Sequence, residues 1–362
     1  MDDTHIDLEA PLAAATDGNE TDDSGYASHD DISVLTRSIH SSIYNYRFEH
    51  GRRYHAFKQG ERNYFTPNDE LEQFRMDMQH RCMFLSSGQK LFHAPLDSPV
   101  RALDLGTGTG IWSLEMSEAY PHTQIIGVDL SPIQPSWAPE NVKFEVDDVE
   151  DDWTWPENHF DLVYSKVMLV GGIRDHRRYF EQAFKHCAPD GFFEVHEITT
   201  HIRSDHHNIP PENAIMRWTT LLRQGIEQMG TTLDLNFDKL ASLMREVGFV
   251  DVTVKPFKQP IGTWPANPTL KQSGSIQLVA MLEGLEGLSL AIFTRCLEWS
   301  LEDTKNLLEQ TKAEFCKKRA CYYWPGFVFQ RSWVAQTIAN ILKQSHHTWT
   351  QASARRNISL ST

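Results

Sequence analysis

The stretch Leu103-Asp104-Leu105-Gly106-Thr107-Gly108-Thr109-Gly110-Ile111-Trp112 restricts most what this chain can become. An apolar run of strand length, residues 100–105, passes through three alternating glycines straight into a helical pattern over Ile111–Ala119. Glycine lets the backbone turn tightly there and lets a ligand approach the main chain closely. The spacing separates the usual ligands of such a turn. A dinucleotide fingerprint would place its third glycine at position 111, which is Ile, and no Gly-Lys-Ser/Thr follows as in a phosphate loop. Asp104, closing the strand, would repel a pyrophosphate but suits an ammonium group. S-adenosylmethionine, with an amine, a sulfonium and no phosphate, is the cofactor this chemistry favours, with Asp104, Gly106, Thr107, Gly108 and Gly110 as candidate binding residues.

Three further features follow in order. Asp129, followed by Leu130, closes a second apolar run nineteen residues past Gly110, where a carboxylate accepts both ribose hydroxyl hydrogens. Asp148 follows a third run and suits the adenine amino group, with the Val149 amide on the ring. Crowded by Asp147, Glu150, Asp151 and Asp152, it also reads as part of a solvated acidic loop. A fourth run, 160–164, leads to Ser165 under the methionine part, a position equally suited to packing.

These runs, Gln124–Asp129, Val142–Val146, 160–164 and 191–198 after the first, alternate with helical stretches such as 175–187. Such alternation requires crossover connections, hence a doubly wound, mainly parallel α/β sheet with helical additions, which together with the cofactor motifs points to the class I, Rossmann-like methyltransferase type. Before it, residues 68–91 show helical spacing, with Asn68 or Asp69 as N-cap. After it, residues 210–247 and 270–318 read as helical, and 250–256 and 321–329 as strands. Helix 111–119 is expected to bury Ile111, Leu114 and Met116.

Charge divides the 362-residue chain unevenly. Of a net charge of −15, ten acids lie in residues 1–31 with no Lys or Arg, leaving −5 for the rest. That segment is poor in large apolar side chains, so residues 1–40 are expected to be a disordered acidic tail. Residues 41–332 are expected to form the domain and 333–362 a polar tail. Acidity argues against direct nucleic-acid binding. Five cysteines without a CxxC pair suit a reducing compartment. The reading finds no run of about 18 apolar residues and no basic leader, so an intracellular, cytoplasmic or nuclear protein without membrane attachment is expected. His201, His206 and His207 lack ligand spacing on one helix face, and no metal is expected.

Beyond the cofactor motifs the chain resembles the LaeA-like family of fungal methyltransferases. The resemblance lies in Tyr54-His55-Ala56-Phe57, in Asn63-Tyr64-Phe65-Thr66-Pro67-Asn68-Asp69-Glu70, in the helix with Arg75, Asp77 and His80, in Pro260-Ile261-Gly262-Thr263-Trp264-Pro265, in 285–308 and in Tyr323-Trp324-Pro325. It implies a methyltransferase of fungal secondary metabolism, acting on a small metabolite or a protein side chain. The alternative it implies is a regulatory subunit of a velvet-type nuclear complex, controlling secondary metabolism and development with little or no catalysis. The family's Gly-Arg-Lys-Pro-like turn is replaced by Gln330-Arg331-Ser332-Trp333.

Methyl transfer to a carbon activated by sulfonium needs alignment and exclusion of water more than a strong base. His196 and Glu197, ending the fifth run, are the candidate catalytic residues, one of them expected to point at the acceptor as a base. Tyr54, Tyr64, Trp218 and Trp264 are candidates for shaping an acceptor pocket. The pairs Arg52-Arg53 and Arg177-Arg178 read as solvated surface charges.

Overall fold

The computed structural model describes residues 46–55, 64–317 and 321–332. The tails inferred over 1–40 and 333–362, and Ala56 and Phe57 of the family motif, lie outside the described residues. A short hairpin, β1 (Arg47–Glu49) and β2 (Arg52–Tyr54), leads to helix α1 (Glu70–Ser86). Asp69 caps α1 by accepting from the Glu72 amide. Gly88 and Gln89, both at positive φ, follow its end, which is why the helix is shorter than the apolar spacing over 68–91 suggests.

The α/β unit then alternates as expected: β3 (Arg101–Leu105), α2 (Ile111–Ala119), β4 (Gln124–Asp129), β5 (Val142–Val146), β6 (Phe160–Lys166), α3 (His176–His186) and β7 (Cys187–Ile198). Next come β8 (Arg203–Ser204), α4 (Ala214–Gln228), α5 (Phe237–Val247), β9 (Val250–Pro260), α6 (Pro268–Ala291), a π turn over Ile292–Cys296, α7 (Leu301–Phe315) and β10 (Tyr322–Ser332). The main sheet runs β5-β4-β3-β6-β7-β10-β8, with β9 on β10. From β5 to β7 the pairings are parallel, and β10 enters antiparallel to β7 and β9. The chain leaves β3 toward β4 and β5, then returns to β6 on the other side. This reversal opens a crevice at the carboxyl ends of β3, β4 and β6.

One face of the sheet packs against α3 and α5 through Tyr179, Phe180, Leu240 and Met244 over Val163, Phe193 and Phe329. Burial of one such large side chain is worth roughly 1.5–3 kcal/mol. The other face takes α2. Its buried side is Trp112, Ser113, Met116 and Ser117, while Ile111 and Leu114 are only half-buried. The expected apolar stripe is rotated because Trp112 stacks on Tyr164 at 4.0 Å and donates to the Leu91 carbonyl, and Ser113 turns inward to bond Asp104. A further core joins α4, α6 and α7 through Ile215, Trp218, Leu222, Leu285, Leu307 and Phe315.

The helical stretch Pro268–Cys296 is long and apolar enough, by length and composition, to cross a membrane, which corrects the expectation that no run of about 18 apolar residues exists. In this fold 61% of its apolar window is buried, and α6 packs along α1, α7 and β9. That packing accounts for its composition, as expected of a core helix. Arg52 is likewise no surface charge: it is buried and makes a bidentate pair with Asp69 at 2.6 and 2.8 Å. Arg53 is partly buried against Asn68 and Glu70, whereas Arg177 and Arg178 are exposed and pair with Glu246 and Asp152.

Candidate active site

At the crevice Gly106, Gly108 and Gly110 take φ of 69°, 59° and 82°, the left-handed region that a side chain disfavours. A Cβ on Gly110 would sit 2.5 Å from the Phe144 ring, so this glycine is also needed for close packing of loop on β5. Gly108 instead faces open space, its nearest would-be neighbour the Met76 sulfur at 3.5 Å. The loop is held from three sides. The Thr107 amide donates to the Val128 carbonyl, the Gly108 amide to Asp129 Oδ2 at 2.8 Å, and Thr109 Oγ1 to Asp77 Oδ1 at 2.6 Å.

A cavity of about 250 Å³ lies over this loop. Gly106, Gly108, Asp129, Leu130, Asp148 and Val149 line it, as the sequence suggests. Asp104, Thr107, Gly110 and Ser165 do not. Asp104 is buried beneath the loop, its Oδ2 accepting from Thr107 Oγ1 at 2.7 Å and Ser113 Oγ at 2.8 Å, and burial raises its pKa. It braces the turn; the direct approach to an ammonium group expected of it is not what this geometry offers. Ser165 is fully buried and accepts from the Tyr179 hydroxyl. Asp129 carries the carboxylate that lines the cavity: half-buried, its Oδ1 accepts from the Ser131 amide, and burial pushes its pKa up to about 6 against the pull of these N–H donors. Asp148 is buried and accepts from the Glu150 amide, an ordered position and not a loosely solvated one.

The roof was missed by motif reading. Tyr64, Thr66, Pro67 and Asn68, Met76 of α1, Met168 and 171–174 after β6, and Gln228, Met229 and Thr231 at the end of α4 line the cavity too. Some of these carried a signal: the Tyr64–Asn68 segment lies within the family resemblance, but its chemistry gave no reason to place it over the glycine loop. Asn68 Nδ2 reaches Ser131 Oγ at 3.3 Å across 63 residues of sequence.

His196 and Glu197 line neither this cavity nor the one beside it. The His196 ring is buried among Tyr164, His93 and Glu194, with Nε2 2.6 Å from Glu194 Oε1. Glu197 Oε1 accepts from the Met168 and Leu169 amides at 2.8 and 2.6 Å, and burial pushes its carboxyl up to about 8. It thereby fastens a turn in which Val167, β-branched, sits at φ 54°. Behind the loop a partly buried chain runs from Lys166 Nζ to His80 Nδ1 (2.6 Å) and from His80 Nε2 to Glu115 (2.9 Å). Burial, then the Lys166 charge, lowers His80 to about 4, and burial lowers Lys166 to about 8.

Of the aromatic candidates, Tyr64 and Trp218 line the neighbouring cavity, Tyr54 is buried under the Arg295 guanidinium and Trp264 donates to the Tyr322 carbonyl. His201 pairs with Asp234, His207 meets Ser204, and His206 lies edge-on to Trp264. Among the described residues no three His, Cys, Asp or Glu side chains are grouped to hold a metal ion.

The family model described as a methyltransferase domain matches residues 74–254. Methyltransferase pytC of Aspergillus terreus is 41% identical over 268 residues, covering 74% of this chain and 81% of that protein. Secondary metabolism regulator LAE1 of Cochliobolus heterostrophus is 31% identical, covering 76% and 91%. Protein-methionine methyltransferase laeA of Emericella nidulans is 32% identical, covering 76% and 73%. This chain belongs to the LaeA-like methyltransferase family. It is an S-adenosylmethionine-dependent methyltransferase of the class I fold.

The methyltransferase cavity fits that cofactor on its own chemistry. Among its described lining residues Asp129, Asp147, Asp148 and Glu150 supply carboxylates, and the one cation, Arg174, is bound by Glu150 through its amide and Nε. Such a lining favours a cationic ligand rich in hydroxyls and disfavours a phosphate.

Proposed function

We propose that this methyltransferase serves fungal secondary metabolism and holds S-adenosylmethionine in the cavity over the glycine loop. The observation that carries the reading is the Gly108 amide bonded to Asp129 at the floor of a carboxylate-lined cavity. Gly106, Gly108, Asp129, Leu130, Asp148 and Val149 would contact the cofactor. Asp129 would take the ribose hydroxyls and Asp148 the adenine amino group. Asp104, Thr107, Gly110 and Ser165 would support these from beneath. The cofactor supplies an electrophilic methyl group. The protein's part is to align the acceptor with it and exclude water. Glu197 and His196 act in this reading as positioning residues behind the 167–173 turn. The catalytic domain is taken as residues 41–332, with tails 1–40 and 333–362, and the protein as intracellular, cytoplasmic or nuclear, acting without nucleic acid or membrane.

Calorimetric titration with S-adenosylmethionine tests it: micromolar binding by the wild type, lost in Gly108→Arg and Asp129→Ala, is expected. Absence of binding by folded wild-type protein would overturn the reading. A second reading, regulation through a velvet-type protein partner, is favoured by relatives called secondary metabolism regulators. It predicts partner binding that persists in Gly108→Arg.

A further inference from the structure

A second cavity of about 130 Å³ adjoins the first. Tyr64 and Thr66 line both. The turn after β6 borders one and then the other, with Met168 and Gly171 on the cofactor side and Val167 and Val170 on the second. The second cavity lies between the sheet and the helical layer, walled by Val170, Ile198, Trp218, Leu222, Met281 and Trp324. All but Val170 and Ile198 of these are buried.

Several of its polar groups are already engaged inside the protein. Arg75, the one charged side chain among the described lining residues, donates to both oxygens of the buried Glu72 and to Gln79. Trp218 Nε1 donates to Ser289, Gln277 accepts from Gln259, and Thr200 and Thr219 donate to the Leu233 and Met216 carbonyls. A charged guest would lose its hydration without finding a counter-ion, and a peptide guest would bury amides without partners. An apolar cavity of this size accepts a guest on the scale of a single aromatic ring.

We propose that this cavity is the methyl-acceptor site and that the acceptor end it receives is an uncharged, mostly hydrocarbon small molecule, not a protein side chain. The proposal rests on the cofactor occupying the first cavity. Tyr64 and Thr66 then stand where the reacting atom meets the methyl group. Transfer forms one bond from that atom to the methyl carbon and breaks the methyl–sulfur bond; a hydroxyl acceptor gives its proton to water. Among the described lining residues there is no carboxylate or imidazole to serve as base.

The test uses the full chain saturated with S-adenosylhomocysteine and two probes, 4-methylphenol and the charged 4-methylbenzoate, followed by ligand-observed NMR. The phenol is expected to bind at least about tenfold more tightly than the benzoate. Leu222→Trp, filling the cavity, should weaken the phenol by about tenfold or more. Leu288→Phe does the same from another wall should the first variant fail to fold, as judged by circular dichroism. Calorimetric S-adenosylhomocysteine binding should stay within about twofold of wild type. Equal binding of the two probes, no phenol binding, or phenol binding indifferent to both fillings overturns the inference. Failure of folded wild-type protein to bind S-adenosylhomocysteine would instead overturn the cofactor reading.

Discussion

The two halves of the active site are built in different ways. The cofactor half is a backbone construction: glycines at positive φ, amides aimed at Asp129, and strand ends brought level by parallel pairing, Leu105 beside Val128 and Ser165. The acceptor half is a side-chain construction. Tyr64, Arg75, Trp218, Met281 and Trp324 come from five separate stretches, and their contacts exist only once the helices pack on the sheet. A site made of backbone should respond to changes of turn geometry and charge. One made of packing should respond to changes of volume and to orphaned partners.

The sharpest way to break this contrast is Arg75→Met. It leaves the Glu72 carboxylate, 1% exposed, without its partner. A loss of about 3–5 kcal/mol in urea unfolding is expected; a loss under about 1 kcal/mol would show that this pair does not hold the acceptor half together. Gly108→Arg attacks the other half. The new side chain enters the cofactor cavity, so S-adenosylmethionine affinity should fall about a hundredfold, about 2.8 kcal/mol by calorimetry.

Glu197 lies at the boundary between the halves. Glu197→Ala strips the Met168 and Leu169 amides of their acceptor and should cost about 2 kcal/mol. Glu197→Gln, which keeps a neutral oxygen there, should recover most of it. With a folded pKa raised to about 8, the carboxyl is held protonated by the fold. Its contribution to wild-type stability is therefore complete below the ordinary glutamate value and lost as pH rises toward 8. The Gln variant should lack this slope in chemical denaturation across that range. The smallest effect is on Asp129. Its pKa of about 6 means that acidification from pH 7 to 5 removes most of the charge facing the ribose, and affinity should fall about tenfold. A flat profile would place the hydroxyls elsewhere.

Several elements were legible because local chemistry and fold agree. α2, β4 and β5 have the bounds that the apolar runs indicate, and Asp69, one of two expected caps, closes the start of α1 where a short polar side chain precedes apolar spacing. The misplacements have specific causes. The stripe of α2 turned toward Trp112 because a stacking partner, Tyr164, waited on a strand fifty residues away. Arg52 looked like surface charge because Asp69 is seventeen residues distant. Strand alternation put one of His196 and Glu197 toward the acceptor. In the fold Glu194 captures the first and the amides after β6 capture the second.

The sequence by itself determined the parallel sheet, the glycine turn and the carboxylates at the ends of its strands. These depend on backbone conformation and on the period of apolar residues, both written locally. Tertiary structure alone decided that Asp104 braces the loop beneath while Asp129 faces the cavity. It also decided that Tyr64, Thr66, Pro67, Asn68 and Met76 wall the site, and that Arg75 is neutralised beside an apolar chamber. Those outcomes depend on which distant side chain reaches a buried polar group first, because burying it unpaired costs more than any local preference can return.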